Sequence, residues 1–233
     1  MIEQEIEELI QALQDDDEDI RWDAAFALRD IGERAIPALI QALQDDDEDV
    51  RYHVAVVLGE IGEDAKEVIP ALIQALQDDD EDVRYHAAFA LGEIGEDAKE
   101  AIPALIQALR DDDEGVRYHA AFALRDIGER TVPALIQALR DDDEDVRYNA
   151  AKVLGEIGED AKEAIPALIQ ALQDNDEDVR YNATEVLGEI GEEAVPALIQ
   201  ALQDDNEIVC YHAAYALRDI GTPEALKAVS ASK

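Results

Sequence analysis

One motif recurs in a single register along this chain. Aligning the apolar residue that ends each acidic run gives Ile20, Val50, Val83, Val116, Val146, Val179 and Val209, at intervals of 30, 33, 33, 30, 33 and 30 residues. The punctuation residues keep the same register. Six prolines (Pro37, Pro70, Pro103, Pro133, Pro166, Pro196) fall at one repeat position, and Pro223 stands at its counterpart in an altered context, three residues short of the register. Eleven of the twelve glycines occupy two positions, and only Gly115, which replaces an Asp, stands outside them. A fixed period of this length marks stacked supersecondary units, so a tandem array of seven is expected.

Each unit reads as two helices. In "IPALIQALQ", Ile36, Leu39, Ile40 and Leu43 fall at i, i+3, i+4 and i+7 and make one apolar stripe. Pro37 suits the first turn, where its missing N–H costs little. Val50, Val54, Val57, Leu58 and Ile61 form a second stripe, and Gly62 is expected to end that helix in a left-handed cap. Units differ after this glycine: short ones run "IGERAIP" and long ones "IGEDAKEVIP", three residues more, which should leave the core undisturbed. The repeat boundaries are 1–32, 33–62, 63–95, 96–128, 129–158, 159–191 and 192–221, with a closing segment 222–233, all within one array.

Composition supports helices. Apolar residues make up 48% of the 233, yet aromatics only 5%, a balance suited to close helix packing rather than a β-sandwich. Charge is extreme, at a formal −39. Such a surface repels nucleic acid and anionic lipid and favours basic proteins or weakly held cations. Cys210 is the sole cysteine, which excludes an intramolecular disulfide and any cysteine-based metal site. The opening "MIEQEIEELIQAL" lacks the basic start of a secretory signal. No apolar run approaches the roughly 18 residues of a membrane span. A soluble, cytoplasmic protein is the expectation.

The stretch "IPALIQALQDDDEDVRYHAAFALGEIG" resembles the HEAT repeat. The likeness is to the short type found in phycobilisome-lyase relatives and in artificial consensus HEAT-like binders. It rests on the Pro of the first helix, the leading Asp of the turn, the Val-Arg pair opening the second helix, and the Ala-Leu-Gly-x-Ile-Gly that follows. The resemblance implies an all-α, right-handed α-solenoid of seven helix pairs with capping end units. Its second helices would line a concave, protein-binding surface. It also implies a ladder joining Asp15, Asp45, Asp78, Asp111, Asp141, Asp174 and Asp204 to Arg21, Arg51, Arg84, Arg117, Arg147 and Arg180 across adjacent turns. Cys210 replaces the seventh Arg, a change expected to be tolerated where no further turn needs bridging.

The acidic runs do not fit a calcium loop. Counted from Asp78, position 6, where an EF-hand needs Gly, is Val83, and position 12, where it needs Glu, is Phe89. A structural role fits better, with Asp47 capping the second helix and Glu48 and Asp49 complementing its dipole.

On the second helix, advancing about 100° per residue puts three positions opposite the core stripe. The first reads Trp22, Tyr52, Tyr85, Tyr118, Tyr148, Tyr181 and Tyr211; the second Phe26, Val56, Phe89, Phe122, Lys152, Glu185 and Tyr215. The third is acidic: Asp30, Glu60, Glu93, Asp126, Glu156, Glu189 and Asp219. Aromatic anchors beside carboxylates suit a basic or amphipathic protein segment. A tyrosine repeated in this way also suits simple packing against the neighbouring helix.

Catalysis is not expected, nor a cofactor or metal site. His53, His86, His119 and His212 recur at one repeat position, where Asp23, Asn149 and Asn182 stand elsewhere. Repeats stack about 10 Å apart, too far for two such histidines to share a metal bound at about 2 Å. No P-loop, GxSxG or HExxH motif occurs. The leading reading is a non-enzymatic scaffold that binds protein and neither nucleic acid nor membrane. The alternatives are an accessory subunit in bilin attachment or phycobilisome assembly, by resemblance alone, and a designed or structural scaffold without native ligand.

Overall fold

The structure, a computed structural model, describes residues 2–232, apart from the side chains of residues 63–65. The described residues are helical, in two compact units, Met1–Ile127 and Gly128–Lys233. The first holds four helix pairs: α1 (Ile2–Ala12) with α2 (Glu18–Ile31), α3 (Ile36–Ala42) with α4 (Glu48–Ile61), α5 (Ile69–Ala75) with α6 (Glu81–Ile94), and α7 (Ile102–Ala108) with α8 (Glu114–Ile127). The second holds three: α9 (Val132–Ala138) with α10 (Glu144–Ile157), α11 (Ile165–Ala171) with α12 (Glu177–Ile190), and α13 (Val195–Ala201) with α14 (Glu207–Ile220). It closes with α15 (Pro223–Ala231). The all-α architecture of seven repeated helix pairs follows the expectation.

The first helices of most pairs have seven residues, too few to stand alone in water. They hold because one stripe is removed from solvent. Leu39, Leu72, Leu105, Leu135, Leu168 and Leu198, at one repeat position, are all fully buried, each worth about 1.5–3 kcal/mol of transfer free energy. Val50, Val83, Val116, Val146 and Val179 are equally buried at the start of the second helices, whereas Ile20 is exposed. Pro37 and its counterparts sit at the first or second helical position.

The acidic run divides its labour residue by residue. The leading Asp closes an Asx turn in every repeat, its Oδ1 accepting from the backbone N–H two residues on at 2.8–3.0 Å. Two residues later another Asp (Asn206 in the last repeat) caps the second helix, as Asp47 does for Asp49 N and Asp80 for Val83 N. The acidic pair that follows fills the positive first turn.

Gly62 and its counterparts end the second helices with φ of +62° to +80°. Gly32, Gly62, Gly95, Gly158 and Gly191 do not adopt the left-handed cap foreseen from sequence. At Gly62 ψ is −131°, a conformation open to glycine and not to side-chain-bearing residues, and it launches a 3-10 segment. Gly221 has the left-handed geometry (φ 67°, ψ 8°), where the chain passes to α15 instead.

The three extra residues of the long units lie in that 3-10 segment. It spans four residues at Gly32–Ala35 and Gly191–Ala194, but seven at Gly62–Val68, Gly95–Ala101 and Gly158–Ala164. At about 2 Å per residue the insertion adds about 6 Å of path. The core residues keep their places, and the junction between repeats changes. Across long linkers the ladder forms: Arg51 grips Asp78 through Nε and Nη2 at 2.7 and 2.8 Å, Arg84 grips Asp111 at 2.7 and 2.9 Å, and Arg147 grips Asp174 at 2.8 and 2.9 Å. Across the short linkers Gly32–Ala35 and Gly191–Ala194 it does not form among the described residues. Arg21 comes only within 3.9 Å of Asp49, Arg180 bonds only carbonyls of its own turn, and the Nε of each is buried without a partner. Consistently, α4 with α6, α6 with α8, and α10 with α12 pack more extensively than α2 with α4 or α12 with α14. Cys210 keeps part of the arginine's role, its thiol donating to Asp204 O at 3.1 Å.

Candidate protein-binding face

The face is built on the second helices, each anchored by its buried Val-Ala-Leu stripe and capped by the turn Asp. In the first unit the row is largely interlocked. Trp22 lies edge-on to Tyr52 and His53, at ring-centroid distances of 6.1 and 4.9 Å. Tyr52 meets His86 at 4.9 Å, and Tyr85 meets His119 at 4.2 Å. The Tyr85 ring also covers Gly115, where a Cβ would come within 2.9 Å of it. The one glycine outside the repeat register thus makes room for a ring of the preceding repeat. Phe89 likewise lies on Gly59.

Linker length decides which rings are covered. Tyr52, Tyr85 and Tyr148, each followed by a long linker, are half-buried, while Tyr181, followed by a short one, is 50% exposed. Trp22 is half-buried despite its short linker, because the larger indole reaches the next helix. Tyr118, Tyr211, Tyr215 and Phe26 are exposed at 55, 65, 47 and 41%. Glu185 is exposed; Val56, Phe89, Phe122 and Lys152 are half-buried.

The two units differ in charge at this face. In the first, Arg29 lies 5.0 Å from the Phe26 ring centre and bonds Asp30 (2.9 Å) and Glu60 (3.3 Å). Arg125 lies 3.6 Å over Phe122 and bonds Asp126 at 2.8 and 2.9 Å. Neither arginine is among the residues expected from sequence, although each is legible as the Arg that follows Phe by three residues in "FALRD", the position glycine takes in "LGE" repeats. In the second unit, Tyr181 is hydrogen-bonded to Glu185, which raises its phenol pKa. The Glu189 carboxyl is held above its usual range by burial first, then by Glu185, Asp219 and Glu156.

The histidines serve packing. His53 is 2% exposed, and its Nδ1–H donates to Asp49 O at 2.6 Å; His86 does the same to Asp82 O at 2.8 Å. His212 donates to Thr184 Oγ1 at 2.8 Å, and that hydroxyl donates to Arg180 O. Burial lowers the pKa of His86, His119 and His212; neighbouring His53 adds to this for His86, His86 for His119, and Arg180 for His212. Among the described residues no group of three or more His, Cys, Asp or Glu is placed to hold a metal ion. No described helix is long and apolar enough to cross a membrane.

The family described as HEAT repeats matches residues 6–70, 69–133, 102–174, 132–209 and 165–232, nearly the whole chain. The chain belongs to the HEAT-repeat family. Among curated proteins none matches the sequence. Among solved structures it is similar to an engineered protein (26% identity over 97% of this chain and 71% of that one, TM-score 0.53). It is also similar to an archaeal HEAT-like repeat protein from Thermococcus onnurineus NA1 (17% identity, 97% and 96% covered, TM-score 0.60), a likeness of fold alone. The CpcE–CpcF complex of phycocyanin lyase from Nostoc sp. PCC7120 aligns at 25% identity over 97% and 92%, with TM-score 0.49. That last likeness is too weak to carry an argument about function.

Proposed function

We propose that this HEAT-repeat chain is a non-enzymatic, cytoplasmic scaffold, one array of seven repeats that binds a protein partner on the face of its second helices. The supporting observation is the set of exposed tyrosines on that face. Tyr118, Tyr181, Tyr211 and Tyr215 are each close to half exposed or more, although rings at equivalent positions are covered by the next repeat. Large, stiff aromatic rings anchor protein interfaces at low entropic cost, and neighbouring carboxylates bias the choice toward basic or amphipathic segments. The histidines are engaged by backbone carbonyls, the Thr184 hydroxyl and ring packing, as a structural role requires.

The test is selection of binders from a random peptide display library on the intact chain. Selected peptides should lose about tenfold or more in affinity for a Tyr118→Ala/Tyr181→Ala/Tyr211→Ala/Tyr215→Ala variant that keeps its helical circular dichroism. Peptides that bind this variant as well as the parent chain would sink the proposal.

A further inference from the structure

The chain carries its own example of how this face holds a cation. On α8, Phe122 and Asp126 are four residues apart, and between them lies the Arg125 guanidinium, 3.6 Å over the ring and bonded to the carboxylate at 2.8 Å. Phe26 and Asp30 on α2 hold Arg29 in the same way. The equivalent positions on α14 are Tyr215 and Asp219, and on α12 Glu185 and Glu189, with Tyr181 and Tyr211 one turn earlier. Each helix therefore presents a stripe at i, i+4 and i+8: Tyr181-Glu185-Glu189 and Tyr211-Tyr215-Asp219. On α10 the same stripe reads Tyr148-Lys152-Glu156, with a cation built in.

On α12 and α14 the site is formed without an internal cation. Gly188 stands where α8 has Arg125, and the Asp219 carboxylate occupies the freed space, 2.6 Å from where a Cβ would be. Glu189 lies on Gly155 in the same manner, at 2.8 Å. Among the described residues no lysine or arginine bonds Glu185, Glu189 or Asp219. Arg218, the counterpart of Arg125 on α14, is exposed and has no ring or carboxylate contact among the described residues. Three carboxylates and three exposed tyrosines thus share one surface, and like charges there press on Glu189 from three sides.

We infer that α12 and α14 form the specificity-determining part of the face, holding an extended basic segment with Arg or Lys at every third residue. Each cation sits against a tyrosine ring with its head on a carboxylate, the pair of contacts that Arg125 makes with Phe122 and Asp126 on α8. The spacing follows from geometry: adjacent helices lie about 10 Å apart, and an extended polyproline-II chain advances about 3.1 Å per residue and returns every third side chain to one face. Charge complementarity selects this occupant, since the stripe repels an acidic segment and would leave its carboxylates unpaired against an apolar one. The inference rests on the protein-binding reading above.

The probe is fluorescein-labelled RGSRGSR, with RRRGSGS as a control of equal composition and charge, titrated into the full chain by fluorescence anisotropy. Glu185→Gln/Glu189→Gln/Asp219→Asn should weaken RGSRGSR binding about tenfold or more, and Tyr181→Ala/Tyr215→Ala comparably. Asp79→Asn/Asp112→Asn/Asp142→Asn, which removes three charges from the turns, should change it less than about threefold. Arg218→Ala, which removes a competing cation, should strengthen it. RGSRGSR should bind more tightly than RRRGSGS. Equal weakening by the two charge triples, or equal affinity for the two peptides, overturns the inference in favour of diffuse attraction. If instead Phe26→Ala/Tyr118→Ala abolishes binding while the α12–α14 variants leave it intact, this inference fails and the general reading stands. Indifference of RGSRGSR and of library-selected peptides to every face variant defeats both.

Discussion

Linker length should matter most at Arg84. Its Nε and Nη2 bond Asp111 at 2.7 and 2.9 Å, and its Nη1 bonds the Asp78 and Asp79 carbonyls at 2.8 and 3.0 Å. The side chains of the pair are only 16% and 12% exposed. Arg84→Ala strands a nearly buried carboxylate, although Asp111 keeps the Asp113 N–H at 3.0 Å. Removing one partner of a fully buried pair costs about 3–5 kcal/mol, and the residual solvent access here brings that to about 2–3 kcal/mol. Arg180, at a short junction, bonds only two carbonyls, with no carboxylate and an orphaned Nε. Arg180→Ala should therefore cost about 1 kcal/mol. The assay is urea unfolding at low salt, since guanidinium would screen the pair, with an Arg84→Ala/Asp111→Ala cycle expected to show coupling of about 1.5 kcal/mol or more. Equal losses for Arg84→Ala and Arg180→Ala, or coupling near zero, would refute the claim that linker length builds the rung.

Acid should weaken the first unit. Burial holds the His86 and His119 pKa values below the ordinary value, so the native state binds fewer protons than the unfolded chain. Their stabilising effect is complete above about pH 6.5 and declines as pH falls through that value toward the folded ones. The urea midpoint should drop between pH 7.5 and 5.5. The drop should shrink in His86→Asn/His119→Asn, because Asn does not titrate; Asn149 and Asn182 already make elsewhere the carbonyl bond that His86 makes. Gly59→Ala should destabilise by about 1–3 kcal/mol, because its Cβ would meet the Phe89 ring at 2.9 Å and Ala90 Cα at 3.5 Å. Gly188→Ala meets only the movable end of Asp219 and should be neutral or stabilising by up to about 1 kcal/mol. Thermal denaturation of the two variants side by side checks that ordering. Gly62→Ala, at φ +62°, should lose about 1–2 kcal/mol in the same measurement.

The repeat register carried most of the fold, because each element depends on residues close in sequence. Helix starts could be read from Asp47 and Pro37, and helix ends from Gly62. What escaped depends on displacement between repeats. Arg21, Arg51, Arg84 and Arg180 look alike in sequence, yet only Arg51 and Arg84 reach the next carboxylate, because the 3-10 linker behind each contact is seven residues long rather than four. The same displacement separates Tyr85, clamped on His119 and Gly115, from Tyr181 in solvent. A row of identical residues thus becomes two classes, one packed and one exposed. Side-chain type alone carried no sign of that division.

The claim that exposed second-helix tyrosines meet the partner is tested most directly by ring-carbon NMR of the seven tyrosines during titration with a peptide selected on the chain. The rings of Tyr118, Tyr181, Tyr211 and Tyr215 should shift saturably, while Tyr52 and Tyr85 stay in place. Unmoved tyrosine rings, with the backbone shifts confined to the acidic turns around Asp79, Asp112 and Asp142, would contradict it.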